Sequence, residues 1–80
     1  MKSFVIIESG GQYDDHYSHV YAVFTNGEEA IGIAKESNEK SVTEHLGGVD
    51  IDDCPQFHIE IWEGRNSLGH MDSEELGFIV

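Results

Sequence analysis

The chain has 80 residues, room for a single domain, residues 1–80, around a small core. Sixteen Asp and Glu against four Lys and Arg give a formal net charge of -12, beyond the magnitude of roughly 2 to 8 usual for a small soluble domain. That balance argues against contact with nucleic-acid backbone or anionic lipid, and a hydrophobic content of 39% with four Phe, three Tyr and one Trp argues against disorder.

Lys2 to Glu8 reads as the first strand. Phe4, Val5, Ile6 and Ile7 run on without alternation, the pattern of a strand that is central or covered on both faces. Ser9-Gly10-Gly11 breaks it, and Ser9 to His16 reads as an exposed loop. Tyr17 to Phe24 is a second strand, most economically joined to the first as a hairpin. Thr25 and Glu28 stand at capping-box spacing. The main helix is therefore expected over Glu28 to Asn38, with Ala30, Ile33, Ala34 and Ser37 on one face. Ser41 and Glu44 repeat the capping spacing, which predicts either a short second helix around Val42 to Leu46 or a kinked continuation of the first.

Gly48 to Pro55 reads as an acidic linker. Gln56 to Glu63 alternates clearly, with Phe57, Ile59 and Ile61 facing one way and His58, Glu60 and Trp62 the other. Gly64 to Gly69 reads as a turn region exposing Arg65, Asn66 and Ser67. Leu76, Phe78, Ile79 and Val80 suggest a last short strand or an apolar tail folded onto the body. The expected fold class is α+β: a small antiparallel sheet of three or four strands with one face covered by one or two helices. The other face is then either solvated or a binding surface, and Trp62 points to it.

Chemical motifs are sparse. Neither Ser9-Gly10-Gly11 nor Gly47-Gly48 has the pattern of a phosphate-binding loop. Asp14, Asp15, His16 and His19 cluster, as do Asp50, Asp52, Asp53 and Cys54, but neither spacing matches a calcium loop or a structural zinc site. Solvated acidic loops are the plainer reading of both clusters, and no metal or cofactor is expected. Cys54 is the only cysteine, so no intrachain disulfide forms. An acidic setting raises a thiol pKa, the wrong direction for a nucleophile paired with His58. Catalytic residues are not expected, and an enzyme is the least favoured class. The apolar run in MKSFVIIESG is too short for a signal peptide or a membrane span, so the expected location is the cytoplasm.

What remains is recognition of a protein. Carboxylates spread over a small globule attract basic partners, including sites built for nucleic acid, while aromatics supply the anchors. The residues expected to carry such binding are Asp14, Asp15, Tyr17, Glu28, Glu29, Glu36, Asp50, Asp52, Asp53, Glu60, Trp62 and Glu63. Tyr13 and Tyr21 are further aromatic candidates, with partial burial in the core the plainer expectation for Tyr21. An exposed edge strand also leaves pairing with a second copy open. The alternative function is a metal-binding or accessory structural module whose acidity serves solubility.

The short first strand, the acidic loop, the VYAVFT strand, the EEA helix and the late QFHIEIWE strand resemble, over roughly residues 3 to 63, small uncharacterised proteins of phages and bacteria. Size and charge are also similar to phage-encoded anti-defence proteins, such as anti-CRISPR inhibitors that imitate DNA. The second resemblance implies an inhibitor that occupies a basic nucleic-acid-binding or nuclease complex. It transfers no individual residue role.

Overall fold

The computed structural model describes residues 1–11, 16–48 and 54–78. Within them the chain forms β1 (Lys2–Gly10), β2 (Tyr17–Phe24), α1 (Gly27–Leu46), β3 (Gln56–Glu63) and β4 (Asn66–Met71). The strands make one sheet in the order β2-β1-β3-β4, with every neighbouring pair antiparallel. The helix lies on one face. The architecture is a two-layer α+β domain.

Alternation along the strands sets which side chains meet the helix. Phe4 and Ile6 of β1 stand opposite Ile61 and Ile59 of β3, and opposite Phe24 and Ala22 of β2. These residues share the helix-facing side. Ile6, Ile59 and Phe57 are buried there against Ala30 and Ala34 of the helix and Leu76 of the C-terminal segment. The alanines are fully buried and carry only a methyl group, so the helix backbone sits close to the sheet. β1 is central, as its unbroken apolar run implies.

The helix begins at Gly27, and its cap lies one residue later than the capping-box spacing predicts. Asn26, not Thr25, is the N-cap: its Oδ1 accepts the backbone N–H of Glu28 at 2.9 Å and of Glu29 at 3.2 Å. Asn ranks with Asp and Ser as a strong cap, so it displaces Thr25 from that role. Glu28 and Glu29 keep the favourable first-turn position near the helix dipole.

The helix also runs on as one element of 20 residues to Leu46. Ser41 does not cap a second helix; it lies inside the first, buried against the sheet. The buried face is Ala30, Ala34, Asn38 and Ser41. Its second half is polar, which hides its continuity from an apolar pattern.

Asn38 makes that polarity affordable. Its Nδ2 donates to the Phe57 carbonyl at 2.9 Å and to the Leu76 carbonyl at 3.1 Å, and its Oδ1 accepts the Phe57 N–H at 2.8 Å. β4 pairs with β3 only from Ile59 onward. Beyond that point the Asn38 amide takes the place of a neighbouring strand, since a side-chain amide offers the same donor and acceptor as a peptide.

Two strands differ from their sequence reading. β1 continues through Ser9 to Gly10, both paired with β2. The segment expected as a turn region, Gly64 to Gly69, holds the first four residues of β4. The turn itself is tight, at Gly64 and Arg65, with Gly64 in the left-handed region at φ 58. β4 escapes a pattern search because it lacks apolar alternation and its register shifts near Leu68, beside a Gly69 with φ 148. Leu76 and Phe78 are buried as a packed tail; Ile79 and Val80 lie outside the described residues.

Candidate protein-binding face

The sheet face away from the helix is built by β1, β2, β3 and β4 together. On β1 and β2 the register opposes Val5 to Val23 and Ile7 to Val20. Val20 and Val23 are three residues apart yet share this face, because the register slips at Tyr21. Tyr21 turns instead to the helix side, its ring meeting Phe57 edge-on at 5.0 Å. Val20 and Val23 are each 58% exposed, so this half of the face is apolar and open.

The β3–β4 half is different in chemistry. Glu60 and Trp62 alternate away from the buried Phe57 and Ile59, as the sequence indicates. The Trp62 indole Nε1–H donates to Glu60 Oε1 at 3.1 Å. His58 Nε2 stands 3.6 Å from Glu60 Oε2. Glu60 pairs across the sheet with His70, whose Nε2 lies 3.3 Å from Asp72 Oδ1. His58, Glu60, His70, Asp72, Ser73 and Glu74 line an open hollow of about 490 Å³. A tryptophan whose N–H orients a carboxylate presents an apolar plate and an anion at a fixed spacing, suited to a cationic side chain with an aliphatic stem.

No protein-family model, curated protein or solved structure matches the chain.

The nominated residues divide between two sides of the molecule. Glu60 and Trp62 share the open sheet face. Glu28, Glu29 and Glu36 are exposed on the helix, which covers the opposite face. Glu63 is exposed at the end of β3, paired with Lys2 and Asn66. Tyr17 begins β2; its ring stacks on His19 at 5.6 Å and covers Gly10. Partial burial and, second, the charge of Glu8 raise the Tyr17 phenol above its ordinary value. His19 in turn contacts Glu8 Oε1 at 2.9 Å. Tyr13, Asp14, Asp15, Asp50, Asp52 and Asp53 lie outside the described residues.

His58, His70 and Asp72 are not among the residues expected from sequence to carry binding. The signal for His58 is its shared parity with Glu60 and Trp62; His70 and Asp72 depend on β4, which carries no clear pattern. Among the described residues no group of three or more His, Cys, Asp or Glu is arranged to hold a metal ion. Cys54 is buried and does not line the hollow. No helix among the described residues is long and apolar enough to cross a membrane.

Proposed function

We propose that this protein is an acidic binding protein that docks on a basic, nucleic-acid-handling protein and acts by occupancy. The observation that carries this reading is the open sheet face itself. It joins an exposed apolar half, Val20 and Val23, to an anionic half in which Trp62 holds the Glu60 carboxylate in place. Exposed apolar area supplies affinity, and a net charge of -12 supplies steering toward a cationic surface. Glu28, Glu29 and Glu36, on the helix side, add to the long-range field without touching a partner seated on the sheet. A basic site evolved for phosphates is the receptor with matching charge, which makes competition with nucleic acid the expected mode of action.

The test is capture from a host lysate on immobilised protein, followed by elution with duplex DNA or RNA and, separately, with salt. The reading predicts retention of a basic nucleic-acid-binding protein that either eluent releases. It also predicts that Glu60→Gln with Trp62→Ala abolishes retention while Glu28→Gln with Glu29→Gln weakens it only modestly. Retention that nucleic acid does not displace, or that survives the Glu60 and Trp62 changes, would contradict it.

A further inference from the structure

We propose that β2 is a self-association edge, through which two copies pair their sheets antiparallel into one eight-stranded sheet. β2 is an outer strand of the sheet, and among the described residues its main chain pairs only with β1. An edge strand is a template for a further strand, and proteins guard such edges with Lys, Pro, inward charges or bulges. Tyr17–Phe24, YSHVYAVF, has no Asp, Glu, Lys, Arg or Pro. Its only guard is the bulge at Tyr21, which shortens the pairing without closing the edge. β4, the other edge, is better protected. It is shorter, its register also slips, and its ends are flanked by Arg65 and Asp72.

The occupant follows from charge. The chain carries -12 overall, yet this strand carries nothing. A basic partner gains no charge attraction from the edge of this strand. A second copy is repelled by most of the surface but meets no carboxylate within the facing strand itself. The nearest strand carboxylate is Glu8 on β1. Across a paired β2 edge the two Glu8 residues are separated by three strand spacings, about 14 Å, which exceeds the screening length of roughly 8 Å at physiological salt. Like strands meeting antiparallel form a closed two-fold contact that ends at two copies. Val20 and Val23 of each protomer then lie beside those of its partner, giving a central apolar band with an anionic half on either side. Eight residues per strand bury little area, so the dimer is weak and forms at high protein concentration.

Sedimentation equilibrium of the full chain, from micromolar to near-millimolar concentration, tests this at low and at high salt. The expected result is a reversible monomer–dimer equilibrium that tightens severalfold as salt rises, because screening relieves the repulsion between copies. Binding of a basic partner weakens with salt, so failure of this proposal and failure of the functional reading are told apart. Val20→Glu with Val23→Glu, at two exposed positions, is expected to abolish the dimer while leaving circular dichroism unchanged. Amide exchange in β2 is also expected to slow with concentration in the wild-type protein. A wild-type protein that stays monomeric throughout, or a dimer whose β2 amides exchange at concentration-independent rates, overturns the proposal.

Discussion

Asn38 is the residue on which the fold most depends outside its apolar core, and Asn38→Ala is the sharpest test of that. The substitution removes three hydrogen bonds: two donated by Nδ2 to the carbonyls of Phe57 and Leu76, and one accepted by Oδ1 from the Phe57 N–H. Each is worth a net of about 1 kcal/mol, and buried groups left without partners add roughly 1 kcal/mol or more to the loss. The expected cost is about 3 to 5 kcal/mol. A domain of this length has a total stability of about 4 to 12 kcal/mol, so the variant sits near its unfolding limit. Urea unfolding followed by circular dichroism measures it. A loss under about 1 kcal/mol would refute the reasoning, since it would mean that water replaces the amide at little cost.

Asn38→Asp sharpens the test by changing the pH dependence. The new carboxylate still accepts from the Phe57 N–H but confronts two carbonyl oxygens where Asn38 donated. Burial and those dipoles favour the protonated form, so the folded-state pKa rises above the unfolded value of about 3.9. The stability contribution is then fully present below the unfolded value and lost as pH rises through the folded one. The variant is expected to approach wild-type stability near pH 4 and fall away toward neutrality. The comparison is with wild type at each pH, because acid lowers self-repulsion in both.

Two further predictions follow from local geometry. Asn26→Ala is expected to cost about 1 kcal/mol in urea unfolding and Thr25→Ala only a few tenths, the reverse of what the capping-box spacing implies; equal costs would return the cap to Thr25. Glu8→Gln is expected to lower the Tyr17 phenol part of the way to its ordinary 10.0, followed on the Tyr17 ring resonance, because burial is the larger cause and persists. The raised phenol contributes stability that is present below that ordinary value and lost as pH climbs through the folded one. A titration unmoved by Glu8→Gln would remove the charge from the explanation.

Most of the architecture is legible in residue patterning. The strand Gln56–Glu63 alternates because one of its faces is buried and the other open, and its nominated outward residues, Glu60 and Trp62, do form one contact. The strand Tyr17–Phe24 is equally visible, but its bulge is not. One extra residue at Tyr21 decides that Val20 and Val23 share a face, and nothing in the local sequence announces it. The helix is less legible from Asn38 onward, where the buried positions are an amide and a hydroxyl instead of hydrocarbon. β4 is the least legible element: a short strand with a register slip and an interior Gly carries no period. The hollow that His58 and Glu60 share with His70 and Asp72 is hidden for the same reason, since most of its lining stands on β4 or just beyond.

The central claim is that a basic partner seats on the open face of the sheet, against Trp62. Trp62 is the only tryptophan, so 5-fluorotryptophan labelling gives the protein a single fluorine resonance at that face. Titration with the captured basic partner, followed by fluorine NMR, is predicted to shift that resonance saturably and to restore it at high salt. A complex that forms by sedimentation while the resonance stays in place would put the partner elsewhere and contradict the account.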